Sequence, residues 1–461
     1  MVYSRFISAL LSLLMIIFSA GYELKEEAVF DHDYYIETEE YVDIMDEFEE
    51  TELIETAESE TEAEDYAETE LENNNTEDEA GPVAKRERIP DDELEDVFTK
   101  SVAGFSDSLY AEILADNTDK NNIVLSPLSV YYALSLISNG ADGQTLSEIE
   151  TALGSIPVEQ LNEYLLELTD RLTASQESTV VVGNSTWTNS DRFTLSQEFI
   201  DTAKKYYYAE ATSLPFNNTS LGRINGWVND KTDGMIPSIL SELDSKATMV
   251  LINTILFDGK WEVEYKEQQI SDANFYNYDG TTTEAEFLYS QESGSYFTVK
   301  GGVGFTKKYK DGFRFTAVLP TGNIDDFMNS LDIGAVIEAS FSPKGNVKAY
   351  IPKFEYEYYD DLTDMLKNIG IESAMTDDAD FYALSADGMT NSRINSVIQK
   401  AKITLTEKGT KAAAATAVIT YGTTSMTPQT IPVIRLDKPF FYMIVDEAGV
   451  PLFIGTVYSL E

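Results

Sequence analysis

Ile403-Thr-Leu-Thr-Glu-Lys-Gly-Thr-Lys-Ala-Ala-Ala-Ala-Thr-Ala-Val418 begins as one kind of segment and ends as another. Ile403 and Leu405 alternate with Thr404 and Thr406, the period of a half-buried strand. After Gly409 the chain runs into small residues, Ala412 to Ala415. Alanine favours helix, so the run taken alone predicts an exposed helix capped by Thr410. A period of two gives another reading. Thr410, Ala412, Ala414, Thr416 and Val418 then share one face, all small and uncharged. Lys411, Ala413, Ala415, Ala417 and Ile419 share the other, and Lys411 is the only charge. Such a segment suits a strand with one buried face. Its small side chains would let it slide between two existing strands. A chain that is a loop in one state and a central strand in another needs this compromise.

Outward from that stretch, helical periodicity predicts helices over Glu93–Ala115, Pro127–Asn139, Ser147–Leu153, Val158–Leu172, Ser196–Tyr207 and Leu221–Thr232. Strand-like runs follow at Met249–Phe257, Phe315–Leu319, Lys348–Tyr350, Val397–Thr406, Phe440–Val445 and Pro451–Val457. Helices first and strands later argue for an α+β domain rather than a doubly wound sheet. No 20–50-residue repeat is present. No glycine-rich phosphate loop follows a strand and opens a helix.

Composition removes several kinds of chemistry. The 461-residue chain has no cysteine and a single histidine, His32, in a polar acidic stretch. Disulfides, thiolate nucleophiles and zinc–thiolate sites are excluded. A Ser–His–Asp triad or a histidine-ligated metal is impossible beyond residue 32. No metal, cofactor or nucleic-acid partner is expected.

The formal net charge is −49. About half of it lies between Glu23 and Ala80, where 26 Asp and Glu face one Lys. Such a tract repels itself and reads as a solvated linker, over residues 22–90. Before it, Arg5, an apolar run from Phe6 to Phe18 and the small residues Ser19, Ala20 and Gly21 read as a secretory signal over 1–21. Its core is too short for a comfortable membrane span. The expectation is a secreted or cell-surface protein, monomeric and of bacterial type, with one domain over 91–461.

Several motifs resemble those of the serpin family, in the family's order. Glu407-Lys-Gly-Thr-Lys-Ala-Ala-Ala-Ala-Thr416 resembles the hinge of the reactive-centre loop. Asn122-Ile-Val-Leu-Ser-Pro-Leu-Ser-Val130 resembles the start of the helix beneath the main sheet, and Leu251-Ile-Asn-Thr-Ile-Leu-Phe-Asp-Gly-Lys-Trp261 a central strand with its exit. Ile351-Pro-Lys-Phe354 with Asp361-Leu362 and Leu366-Lys-Asn-Ile-Gly-Ile371 resembles a further strand–helix segment. Asp437-Lys-Pro-Phe440 through Leu452-Phe-Ile-Gly455 resembles the C-terminal signature.

The resemblance implies a serpin fold of three β-sheets, eight to nine helices and an exposed reactive-centre loop, here about Gly409 to Ile431. It implies no catalytic residues. The partner is a serine protease, captured as an acyl-enzyme when the cleaved loop inserts into the main sheet. By the same resemblance Glu407 pairs with Lys353 where the loop enters, and Trp261 packs there. Ser126, Ser129 and Asn253 form a buried polar site where two central strands part. Many serpins place a histidine on the adjoining strand at that site; here it is Gln399, which keeps a donor and an acceptor without a charge that titrates. The family's spacing of sixteen residues from the conserved glutamate puts the reactive bond at Thr423–Thr424, with Tyr421 and Met426 as alternates. A small residue at the cut suits elastase-like or subtilisin-like proteases. The other reading is a non-inhibitory serpin, a binding or chaperone-like module, but the hinge positions Gly409, Thr410, Ala412, Ala413, Ala414, Ala415 and Thr416 include no bulky, charged or proline residue.

Overall fold

The computed structural model describes residues 88–175, 177–410 and 431–460. The first part is mainly helical: α1 (Asp91–Asp116), the short strand β1 (Ile123–Leu125), α2 (Pro127–Ser138), α3 (Gly143–Ala152) and α4 (Val158–Thr173). Then β2 (Ser178–Asn189), α5 (Gln197–Tyr207), β3 (Glu210–Leu214) and α6 (Asn218–Lys231) alternate. Strands β4 (Met249–Lys260), β5 (Ile270–Tyr276), β6 (Thr282–Val299), β7 (Gly302–Lys308) and β8 (Arg314–Pro320) follow in succession. After α7 (Ile324–Met328) and α8 (Ile333–Phe341) come β9 (Gly345–Pro352), β10 (Phe354–Asp361), α9 (Thr363–Asn368) and β11 (Ser396–Leu405). The last elements are β12 (Gly409–Thr410), β13 (Val433–Arg435), β14 (Phe440–Val445) and β15 (Pro451–Val457).

Each predicted helix and strand has a counterpart, with ends shifted by a few residues. The order "helices, then strands" is too simple, because β2 and β3 lie among the helices. β2 escapes pattern reading because its second half, Ser185-Thr-Trp-Thr-Asn189, is polar in sequence yet buried throughout. β5 and β6 are missed for the opposite reason: they are rich in exposed polar side chains.

The strands pair into two hydrogen-bonded networks among the described residues. The larger runs β1-β15-β14-β8-β7-β6-β9-β13, with β5 beside β6; the smaller runs β10-β11-β12-β4-β2-β3, with β11 and β4 also paired directly. Three sheets resolve as two networks because β6 changes partners along its length. Phe287–Glu292 pairs with β9, Tyr296–Val299 pairs with β7, and the register shifts between them. One long strand thereby joins two sheets at their edges.

Helix α2 lies between the networks and sets the site. It packs against β2 and β4 on one side and β15 on the other. All of its residues are buried, which accounts for a composition of apolar residues, two tyrosines and three serines with no charge. Its start is fixed by Pro127 in the first turn and by Ser126, whose hydroxyl accepts from Ser129 N at 3.3 Å. That cap is buried directly under the smaller sheet.

Candidate functional site

The smaller sheet contains an incompletely closed seam. β4 and β11 run parallel and pair only at Val250–Asn253 with Ser396–Gln399. Beyond those residues they diverge. At the far end the chain turns back from β11 and inserts Gly409 and Thr410 between them as β12. Gly409 pairs with Lys260, and Thr410 pairs with Gly259 on one side and Leu405 on the other. Along Thr254–Asp258 the β4 edge facing β11 has no strand partner among the described residues.

A two-residue turn makes this possible. Thr406 N donates to Gly409 O at 2.8 Å, and Gly409 N donates back to Thr406 O at 3.3 Å. Gly409 has φ 153°, and a Cβ there would stand 2.0 Å from the Gly259 carbonyl oxygen. Only glycine fits so close to a neighbouring strand. Thr410 therefore begins a strand and is not the N-cap of a helix. Its side chain points inward: the residue is 4% exposed, and its hydroxyl lies 2.6 Å from the Tyr309 hydroxyl.

Trp261 holds the turn from behind. Its indole stacks on Tyr309 at 4.3 Å between centroids, and its Nε1 donates to Thr406 O at 2.9 Å. Trp261 N and Tyr265 N donate to the carbonyls of Lys408 and Glu407. On the outer side Lys353 reaches Glu407 at 2.8 Å and Glu286 at 3.0 Å. The Lys353 hydrogen bond holds the Glu407 carboxyl below the usual carboxylate range. Burial works against the Lys353 ammonium, but its two carboxylate partners outweigh it and raise its pKa.

This pair is partly exposed, so its contribution is modest. Glu407→Gln is expected to cost at most about 1 kcal/mol at neutral pH. Because the folded pKa of Glu407 is depressed, that contribution is present above the unfolded carboxylate pKa of about 4.3 and is lost as pH falls through the folded value. The Tm difference between wild type and Glu407→Gln should therefore shrink between pH 7 and pH 3.

Where β4 and β11 do pair, a buried polar cluster sits beneath them. Gln399, 3% exposed, accepts from Ser126 N at 3.0 Å and donates to Ser126 O at 2.9 Å and Ser129 Oγ at 3.0 Å. One amide thus ties β11 to the cap of α2. Asn253 lies opposite Gln399 on β4 and donates from its side chain to Asn184 of β2. Asn253 Oδ1 and Asn184 Nδ2 are buried without partners. The polar cluster is therefore satisfied on the β11 side and unsatisfied on the β4 side.

The structure brings Glu407, Lys353, Trp261, Gly409 and Thr410 together at one end of the seam, and Ser126, Ser129, Asn253 and Gln399 together at its middle. Ala412, Ala413, Ala414, Ala415, Thr416, Tyr421, Thr423, Thr424 and Met426 lie outside the described residues. Sequence reasoning missed Tyr309, Glu286 and Asn184, which carry no local signal. It also missed Lys307, 3% exposed, whose ammonium is 3.0 Å from Glu292 and 4.4 Å from the centre of the Tyr265 ring. Burial pushes that ammonium down in spite of Glu292. Among the described residues no cluster of His, Cys, Asp or Glu could hold a metal, and no helix is long and apolar enough to cross a membrane.

Residues 100–460 match the family model described as "Serpin (serine protease inhibitor)". The chain is 31% identical over 385 residues to a mouse protein named as a serine protease inhibitor, covering 78% of this chain and 87% of that one. It is 27% identical over 392 residues to chicken neuroserpin, covering 78% and 92%. Its fold is similar to the crystal structure of the thermophilic serpin tengpin in the native state, with TM-score 0.73, 33% identity, and coverage of 83% of this chain and 97% of that one. A loop hinge wedged into an open seam of the smaller sheet, and a family match over residues 100–460, make this chain a member of the serpin family of serine protease inhibitors.

Proposed function

We propose that this protein is a suicide-substrate inhibitor of serine proteases whose cleaved loop fills the seam between β4 and β11. The observation that carries this reading is the seam itself, open along Thr254–Asp258 and already begun by Gly409 and Thr410. The register of those two residues can be continued, one loop residue forward for each residue back along β4 and β11. It brings Thr416 between Asn253 and Gln399, and Thr423 between Lys246 and Ser392. The face that carries Thr410 inward would also carry Ala412, Ala414, Thr416 and Val418 inward. Thr416 would arrive in the layer where Asn253 Oδ1 lacks a donor. Each new ladder hydrogen bond contributes about 0.5–1.5 kcal/mol net, so a strand of this length supplies a large driving force.

The chemistry belongs to the target. Its serine Oγ attacks the carbonyl carbon of Thr423, and the bond to the Thr424 nitrogen breaks, the amine leaving with a proton. The ester keeps the protease attached while the loop inserts. A small residue at the cut points to an elastase-like or subtilisin-like target. Secretion under a signal over 1–21, an acidic linker over 22–90, a monomeric domain over 91–461 and a bacterial source complete the reading.

Incubation with pancreatic elastase and with subtilisin should yield an SDS-resistant complex and a C-terminal fragment beginning at Thr424 by mass spectrometry. A fragment beginning at Gly422 or Thr427 would shift the reactive residue to Tyr421 or Met426. Cleavage by a broad panel of serine proteases with no covalent complex would instead identify a non-inhibitory member of the family.

A further inference from the structure

The opposite end of the seam holds a feature that the inhibitory reading does not use. Where the chain enters β4 and β11 there is a cavity of about 270 Å³, lined by Arg192, Lys246, Ser392 and Arg393 among others. We propose that this cavity binds an oxyanion, a phosphate or sulfate group, and that the bound anion ties the beginnings of β4 and β11 together.

Charge is the first argument. The chain has 81 acidic and 32 basic side chains, yet three of the basic ones converge here. Arg393 is paired with Asp377 at 2.7 Å. Arg192 and Lys246 have no ion pair among the described residues, so the lining carries a formal charge of about +2.

The second argument is an unpartnered donor. Ser392 is 7% exposed, and its hydroxyl is buried without a hydrogen-bond partner. A hydroxyl removed from water and left unpaired is costly unless something else meets it. The other polar groups around it are already engaged. Asn391 accepts from Phe381 N and Ser392 N, and Asn395 accepts from Thr248 N, Thr248 Oγ1 and Met249 N. The Thr376 hydroxyl donates to Ser373 O. Among the described residues no partner is seen for the Arg192 guanidinium, the Lys246 ammonium, the Ser392 hydroxyl or Asn395 Nδ2. The first two can only donate, which selects an anion over a cation. The volume suits one small oxyanion with its waters and is below that of cavities built for larger organic ligands.

The position gives the site a consequence, which rests on the inhibitory reading. Lys246 leads into β4, while Ser392 and Arg393 lead into β11. An anion held from both sides bridges the two strands that must part at Val250–Asn253 and Ser396–Gln399 before Thr423 can arrive between Lys246 and Ser392. Occupancy then favours the closed sheet and slows the last part of insertion.

The test is thermal unfolding of the full chain in increasing sodium sulfate, at ionic strength held constant with sodium chloride. It compares wild type with the double variant Arg192→Gln/Lys246→Gln, whose two positions are exposed. A Tm rise that saturates in wild type, with an apparent affinity at least tenfold weaker in the variant, supports the site. A rise that is linear in sulfate and equal in both proteins is general salting and overturns it. Titration with inorganic phosphate and with a sulfated oligosaccharide distinguishes the sources. Similar affinities indicate a free anion, and much tighter binding of the oligosaccharide indicates a group on a polymer; either requires the two cations. The number of inhibitor molecules consumed per trapped protease is then measured with and without saturating sulfate. Binding that leaves this number unchanged overturns the link to sheet opening. Because the binding measurement needs no protease, its failure is distinct from a failure of the inhibitory reading.

Discussion

Thr410→Arg is expected to turn the protein from a trap into a substrate. The wild-type side chain is enclosed, with its hydroxyl on Tyr309. Arginine at this position would bury an unpaired guanidinium beside the Trp261–Tyr309 stack, where another cation, Lys307, already occupies the carboxylate of Glu292. An unpaired buried charge costs several kcal/mol, so the β12 pairing should be lost and the seam should not propagate. The loop remains an accessible substrate, and the acyl-enzyme has time to hydrolyse. On a denaturing gel the covalent complex should disappear while cleaved inhibitor accumulates, with at least roughly tenfold more inhibitor consumed per protease inactivated. An undiminished complex would mean that insertion does not begin at Thr410. Thr410→Ser keeps the hydroxyl and should behave as wild type.

The second large effect is expected at Gln399. Its amide satisfies three buried groups at once, the N–H and C=O of Ser126 and the hydroxyl of Ser129. Gln399→Ala leaves all three without that partner. Each buried unsatisfied group costs about 1–3 kcal/mol, and since neighbouring losses are not additive, a total of about 3 kcal/mol is expected. For a domain of this size that corresponds to a fall in Tm of about 4 °C, read by calorimetry or near-UV circular dichroism. Gln399→His separates hydrogen bonding from charge. A neutral imidazole supplies a donor and an acceptor, so stability at pH 8 should be partly restored. Burial depresses the imidazole pKa, so stability should then decline as pH falls below the unfolded value of about 6.5. Wild type has no titrating group in this cluster and should show no such loss from it.

The parts of the fold that were legible are those whose local pattern matches their surroundings. β14 and β15 are apolar along nearly their whole length and buried on both faces, so pattern and structure coincide. α2 is buried on all sides, its serines hydrogen-bonded, because sheets flank it on two. β2 was hidden because Thr186, Thr188 and Asn189 are polar but fully enclosed. For Asn189 and Thr188 the partners that permit this come from distant residues, Ser245 and Ala247 for the first and Ser213 for the second. Lys307 was hidden for a related reason: a lysine between Thr306 and Lys308 reads as surface, and only the fold brings Glu292, Tyr265 and Trp261 around it. In the site, Gly409 and Thr410 form the strand that a period of two predicts, while Ala412 to Val418, on which the rest of that reading falls, lie outside the described residues. The pairing of Lys353 with Glu407 spans more than fifty positions and was suggested only by resemblance.

The close contact at Gly409 also acts as a zero mark on a ruler. Under the proposed insertion, with Gly409 fixed against Gly259, every later residue of the loop would have an assigned stopping point, and at about 3.3 Å per residue the thirteen steps from Thr410 to Thr423 would amount to roughly 43 Å of haulage. A loop two residues shorter would halt its cargo roughly 7 Å early, beside Thr248 and Ile394 at the very ends of β4 and β11 instead of past them. The outward side chains can drift in identity at little cost, but the count between mark and cut cannot. In this reading the dose of mechanical work delivered to the captured enzyme is written in the number of residues, and its chemistry is secondary.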